Sequence, residues 1–534
     1  RTAYDYPTHE QAAEAGYAAI YAHRQHLETA DGAEVPGVKL ATVDSSLRFA
    51  ETFPDHENAD TVLGAATEDL YAMQDYERAI HAGRWLLESY PGAELPLRRN
   101  AWMVVAHASF DTNSYPDAEA GYGEVLALTE PDAEDRQEVV ENLAAAIYKQ
   151  GEQARLLEDY AAAADHFLRV KTQAPTAEIR PAAEYDAAAA LITLERWLDA
   201  AEVLEAFRST FPEHELRAEA TMQLAVVYEN AGEFARSASE YELVAAESED
   251  PALRQEAILV AGDLYEQATN EDEALRIYEQ YIDEFPEPLE MAAEIRFKVA
   301  EIYQSRDRDA DYLAQLNAIV ELDAGAGAAR TDRTRFLAAT SALTLTKPLY
   351  EDFQGLALTQ PFEDSLAEKK RRMDVALTAF EALVTYEVGE VTAAATFYLA
   401  EIYGEFSDAL VESERPAGLS GADLAAYEMV IEEEAFPFEE QSIAVHQENI
   451  ELMRRGILNE WVEQSLEVLA ELMPGRYAKY EISSGLVGTI DQYAYRSPLT
   501  PDTPAELEGS ELSSTEPEAK PVTGRDLAGV TDVH

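Results

Sequence analysis

The sequence predicts an all-α solenoid: a right-handed superhelix of helix hairpins, followed by an irregular helical half and an extended tail. Three observations carry this. Pro175 and Pro212 are 37 residues apart, as are Pro54 and Pro91, and Pro286 follows Pro212 by two such periods. Tyr160, Trp197 and Phe234 repeat the same interval, as do Tyr228 and Tyr265. Within each unit apolar residues recur every three or four positions over two segments of about a dozen, which is the pattern of paired amphipathic helices. Apolar residues make up 47% of the chain, and the abundance of alanine among them suits closely packed helices.

A divergent helix pair over residues 8–53 is expected first, within an N-terminal cap spanning 1–59, because exposed terminal repeats need a cap. Seven units follow between 60 and 323. In the unit ending at Pro286, Ile258, Ala261, Gly262 and Tyr265 are placed on the inner face of the first helix. Ala274, Tyr278 and Tyr281 occupy that of the second. Small residues allow close approach of two helices, aromatics fill the space between them, and proline ends the second helix because it cannot donate to the helical ladder. Departures are visible: Gly83 replaces an aromatic, Ser237 an alanine, and Glu249 stands where proline is expected. The unit around Tyr148 and Tyr160 carries about six extra residues at "KQGEQARLLEDY", predicting a longer helix or loop there.

Beyond "DAGAGAAR" the period breaks, and 324–480 reads as irregular helix. Candidate helices cover 328–346, 362–386, 421–435, 437–456 and 457–471, with Pro348, Pro361, Pro416, Pro437 and Pro474 as separators. "VTAAATFYLAEIYGEF" reads as one more first helix, with Phe397, Ala400 and Tyr403 inward. Residues 481–534, rich in Ser, Thr, Pro and Glu toward their end, lack the apolar surface to fold alone and are expected to be an extended tail.

Small, aromatic, small, aromatic and proline at these offsets resemble the tetratricopeptide repeat (TPR). Trp197, Ala200, Leu204, Phe207 and Pro212 fill the second-helix positions in one copy, and Tyr76, Ala79, Leu86 and Pro91 most of them in another. "FRSTFPEHELRAEATMQLAVVYENAGEFARSASEY" is similar to repeats of periplasmic outer-membrane-assembly and Tol-associated proteins. The stretch from "VTAAATFYLAEIYGEF" through "WVEQSLEVLAELMPGRYAKYE" resembles proteobacterial TPR lipoproteins that accompany Tol/Ton-type or gliding-motility systems. These resemblances imply a periplasmic or outer-membrane-associated adaptor, possessing no functional residue that can be carried across.

Asp and Glu total 104 against 40 Lys and Arg, a net charge of −64. That field repels nucleic acid and anionic headgroups, and it suits a halophilic organism in which salt shortens the reach of self-repulsion. There is no cysteine, which excludes disulfides, thiolate metal sites and cysteine nucleophiles. No apolar run is long enough to span a membrane. A chain starting at Arg1 is consistent with removal of an upstream segment, and peripheral membrane association through a missing N-terminal anchor is an expectation on that basis.

Phosphate-loop, dinucleotide, zinc-protease and serine-elbow patterns are missing, so neither catalysis nor a cofactor is expected. His23, His26 and Glu28, and the calcium-loop-like "DRDADY" with Tyr312 where glycine is required and Ala318 where an acid is, carry no metal assignment. The expected binding surface is the concave wall formed by first helices: Met222, Val226, Glu229, Asn230, Asp263, Glu266, Gln267, Glu301 and Gln304. "KKRR", Lys369, Lys370, Arg371 and Arg372, is a candidate docking patch. The leading expectation is a non-catalytic scaffold of the bacterial envelope that binds protein partners. A structural subunit of a homo-oligomeric or filamentous assembly and an acidic binder of cations or small ligands stand as alternatives.

Overall fold

The computed structural model describes residues 2–5 and 9–478, and among them every regular element is helical. The chain divides into two compact units, 1–467 and 468–534. A short helix α1 (Thr2–Asp5) precedes the pair α2 (Ala12–Thr29) and α3 (Val35–Thr52). Seven hairpins then run from Ala59 to Gly325: α4 (Ala59–Ala72) with α5 (Tyr76–Ser89), α6 (Leu95–Asp111) with α7 (Tyr115–Ala127), and α8 (Arg136–Leu156) with α9 (Tyr160–Gln173). They continue as α10 (Arg180–Thr193) with α11 (Trp197–Thr210), α12 (Arg217–Asn230) with α13 (Phe234–Glu247), α14 (Pro251–Gln267) with α15 (Glu271–Glu284), and α16 (Leu289–Ser305) with α17 (Asp309–Gly325). Each helix packs chiefly on the one before and the one after it. Such an array is held by neighbour-to-neighbour burial.

The punctuation is local chemistry repeated. Pro54, Pro91, Pro175, Pro212 and Pro286 each stand two residues beyond the end of α3, α5, α9, α11 and α15. Within the seven hairpins the tight turn uses one left-handed residue: Gln74, Asn113, Glu158, Glu195, Gly232, Thr269 and Asp307. Only Gly232 adopts that conformation without a Cβ penalty. The extra residues before Tyr160 lengthen α8 to 21 residues.

Packing follows the small-against-aromatic scheme. Tyr278 and Tyr281 of α15 are fully buried with Ala261 and Ile258 of α14. A Cβ added at Gly262 would lie 2.4 Å from Cε1 of Tyr278, so glycine is what lets that ring enter.

Polar stitching repeats with the same period. Tyr228 donates to Glu205 and Tyr265 to Glu242, both at 2.6 Å, and Tyr303 donates to Glu279. Each tyrosine is on a first helix and each glutamate on the second helix of the preceding hairpin, the glutamates being 37 residues apart. Arginine bridges adjacent hairpins too: Arg78 to Asp44 at 2.6 Å, and Arg84 to Asp117 and Arg276 to Glu242 at 2.8 Å, while Arg254 to Glu284, also at 2.8 Å, ties the two helices of one hairpin. The scarce cations are thus spent within the protein, at ~0–1 kcal/mol for each exposed pair.

The remainder of the first unit is built from α18 (Asp332–Gln354), α19 (Phe362–Val384), α20 (Gly389–Val411), α21 (Gly421–Glu451) and most of α22 (Glu460–Leu472). Of the second unit, the described residues comprise the end of α22, and α23 (Pro474–Tyr477). Two expected separators are corrected. Pro348 lies inside α18 and Pro437 inside α21, so the expected helices 421–435 and 437–456 are one helix, ended by a 3-10 turn at Leu452–Arg455. An internal proline costs about 3 kcal/mol. In α21 both halves are anchored, by buried Ile431 and Ala435 before Pro437 and buried Ser442 and Val445 after it. A left-handed residue, Glu387, separates α19 from α20. That turn makes α20 the second member of a hairpin, where a first helix was expected. The expected tail, 481–534, lies outside the described residues.

Candidate partner-binding surface

The left-handed turn residue gives each hairpin a common register. Counting back six residues from Gly232, Thr269 and Asp307 reaches Val226, Asp263 and Glu301; counting back three reaches Glu229, Glu266 and Gln304. Six of the nine expected wall residues therefore form two rows along α12, α14 and α16. Val226 is 39% exposed, and Gln267, Glu301 and Gln304 are exposed. Met222 is half-buried against the core around Tyr241, and Asn230 turns its amide back to the Val226 carbonyl at 2.8 Å.

The wall is less acidic than the sequence implied. Lys298 of α16 places Nζ 2.8 Å from Asp263, 2.6 Å from Glu266 and 3.1 Å from the Tyr278 hydroxyl. Tyr278 donates to the same two carboxylates. Burial lowers the Lys298 ammonium's proton affinity, but the bonds to Asp263 and Glu266 outweigh it and the pKa is raised. Burial, then Glu266 and Asp263, push the Tyr278 hydroxyl far above its usual value. Asp263 and Glu266 are thereby committed to an internal cluster. The free polar groups of these rows are at Glu301 and Gln304.

The same register exposes residues that sequence reasoning missed. Counting back six and three residues from Gln74, Asn113, Glu158 and Glu195, the rows continue as Glu68 and Tyr71, His107 and Phe110, Glu152 and Arg155, and Ala189 and Ile192. Tyr71 stacks on His107 with ring centroids 6.0 Å apart and donates to Asp111 at 3.1 Å. His107 Nδ1 is 2.8 Å from the Tyr122 hydroxyl. Burial and then Asp111 push the Tyr71 hydroxyl up to about 12, and burial lowers the His107 imidazole. The first two hairpins thus bring Tyr71, His107 and Phe110 to rows that also carry Glu68, Glu152 and Arg155. Aligning hairpins on their turns, instead of on their prolines, would have revealed this.

The basic patch is corrected. Lys369 is 1% exposed, and its Nζ donates to the Phe353 and Gln354 carbonyls at 2.9 and 3.3 Å, closing the end of α18. A helix end leaves carbonyls without partners, and an ammonium satisfies them. Arg371 pairs with Glu368, and Arg372 with Asp352 and Glu368. Only Lys370 and part of Arg371 face outward.

A concavity of about 990 Å³ lies between the second helices α3 and α5, with Leu47, Ile80 and Trp85 as its apolar part. The "DRDADY" stretch leads into α17, and Arg308 pairs with Asp311 at 2.7 Å. Among the described residues no helix is long and apolar enough to cross a membrane.

The sequence profile of the tetratricopeptide repeat matches residues 256–288, which cover α14, α15 and Pro286. No curated protein matches the chain. Among solved structures, it is similar to Naa15/Naa10 bound to HypK-THB, at 14% identity over 86% of this chain and 64% of that one, with a TM-score of 0.28. It is also similar to a tetratricopeptide repeat protein from Parabacteroides merdae (14% identity, 53% of this chain and 97% of that one, TM-score 0.21). A third is PilW, a type IV pilus biogenesis factor (17% identity, 43% and 96%, TM-score 0.21). The chain thus carries a tetratricopeptide repeat at residues 256–288, set in an all-α array of seven hairpins that share its left-handed turn.

Proposed function

We propose that the chain is a non-catalytic scaffold that holds protein partners along the outward rows of its first helices, in the envelope of a halophilic bacterium. The observation that carries this reading is the register itself. The hairpins spend their apolar faces on one another, and they leave two rows of side chains, each at one position per repeat, with Glu68 and Glu301 in one row and Tyr71, Phe110 and Gln304 in the other. A row of that kind suits an extended or helical segment that touches several repeats at once. The envelope assignment rests on the resemblance to periplasmic TPR lipoproteins, and the halophilic one on the charge of −64.

The test is site-specific photo-crosslinking of the full chain in its native cells. A photoreactive residue at Val226 or Gln304 is expected to capture a discrete partner protein. The same residue at Leu198, exposed on the second helix α11, is expected to capture little. Equal capture from all three positions would end the wall reading, and capture of the chain itself alone would favour a homo-oligomeric assembly.

A further inference from the structure

The long helix α21 buries one side and leaves an apolar strip on the other. Ile431 and Ala435 are 6% and 2% exposed, whereas Met429, Val430 and Phe436 are 69%, 55% and 55% exposed. Met429 and Phe436 are seven residues apart, two helical turns, and so share a face. Ala425 extends that face by one turn, and exposed Glu433 stands on it between Met429 and Phe436. A helix side turned to water is normally filled with charge, and large exposed apolar side chains grouped on one face mark a contact surface.

The rim selects the occupant. Residues 421–440 contain seven carboxylates, among them Glu428, Glu432, Glu433 and Glu440, and no Lys or Arg. Among the described residues Arg415, from outside the helix, lies 3.7 Å from Glu428. A second copy of this chain fits poorly: its net charge is −64, and its one tight basic cluster is consumed by Lys369 capping α18 and Arg372 pairing with Asp352. Anionic lipid is repelled for the same reason.

We propose that this face of α21 docks an amphipathic helix of a partner protein whose apolar stripe is flanked by Lys and Arg. The stripe covers Met429, Val430 and Phe436, and the flanking cations meet the glutamate rim. This surface is distinct from the first-helix wall, so failure here leaves the wall reading standing, and the reverse holds too.

The probe is a synthetic helical peptide with leucines on one face and lysines on its flanks, titrated into the full chain by fluorescence anisotropy at about 0.15 M salt. The double variant Met429→Glu/Phe436→Glu is expected to weaken binding by about tenfold or more, as for the loss of buried anchors. The exposed control Leu198→Glu is expected to leave binding unchanged. A peptide of the same composition with its leucines dispersed around the helix is expected to bind both proteins alike and more weakly. Three results would overturn the proposal: no binding to the natural chain, equal binding by the double variant, or equal binding of the dispersed peptide. Concentration-dependent self-association that the double variant abolishes would overturn it as well, by making the occupant a second copy.

Discussion

The Tyr265 hydroxyl donates a 2.6 Å hydrogen bond to Glu242, and Arg276 binds the same carboxylate through two 2.8 Å contacts. One glutamate on α13 thereby ties α14 and α15 of the next hairpin. The equivalent tyrosine one hairpin on, Tyr303, has its pKa pushed up to about 12 by burial and then by Glu279. An unfolded tyrosine ionises near ~10, so the folded chain holds this proton more tightly. The contribution is complete below about pH 10 and is lost as pH rises toward about 12. Tyr303→Phe is therefore expected to lower stability at about pH 8 by ~1 kcal/mol, with the deficit shrinking by about pH 11.5. Urea unfolding at the two pH values checks it; a constant deficit would refute the clip.

Gly262→Ala places a methyl against the Tyr278 ring, 2.4 Å from Cε1 and 2.8 Å from Cδ1. That ring is fully buried and cannot retreat. Overpacking of this kind costs about 1–3 kcal/mol. Gly123→Ala, on α7 with open space around its Cβ, is the matched control and is expected to gain about 0.5–1 kcal/mol from helix propensity. Opposite shifts in the urea midpoint are the predicted pair of results.

The turn at Thr269 puts a β-branched residue at φ +55, where its counterpart Gly232 has φ +74. The left-handed region costs an L-residue about 1–2 kcal/mol. Thr269→Gly should then stabilise the chain by ~1 kcal/mol, partly offset by the greater freedom of glycine in the unfolded chain, and Gly232→Ala should destabilise it by a similar amount. Thermal melts of the two variants are expected to move in opposite directions.

Features written in local sequence were legible, and those set by partners brought together in space were not. The period could be read from Pro175, Pro212 and Pro286, and Tyr265, Ala274 and Tyr278 were placed inward because each obeys a helical spacing. Pro437 misled because its helix-breaking tendency is local, while the burial of Ile431 and Val445 that holds α21 together is tertiary. Lys369 misled for a related reason: four adjacent cations read as a surface, yet helical geometry points the first of them inward beneath α18. The pairing of Lys298 with Asp263 spans 35 residues, an offset that becomes visible only when first helices of adjacent hairpins are laid side by side.

The corrected role of Lys369 makes its own prediction. Lys369→Met keeps much of the side-chain volume but removes the donor for the Phe353 and Gln354 carbonyls, and is expected to cost about 1–3 kcal/mol. Lys370→Met, one residue along and exposed, should stay within about 0.5 kcal/mol. If the patch were a docking surface and not a helix cap, the two substitutions would have the same small effect on the unfolding midpoint.

Salt tests the charge argument against cation binding. With 104 acidic and 40 basic residues, repulsion among carboxylates outweighs the attraction of pairs such as Arg78–Asp44 and Arg254–Glu284, each worth little at the surface. Raising NaCl from about 0.05 M to about 1 M shortens the screening length to roughly 3 Å. It weakens both terms, and because the repulsive one is larger, Tm is expected to rise by several degrees, in proportion to the stability gained. CaCl2 at matched ionic strength separates screening from binding. An equal rise means the carboxylates act as a diffuse field, as the dispersed placement of Glu301, Glu433 and Glu440 along the chain implies. A rise well beyond that of NaCl would mean that some of them converge on a bound cation, and it would move the acidic-binder alternative ahead of the scaffold.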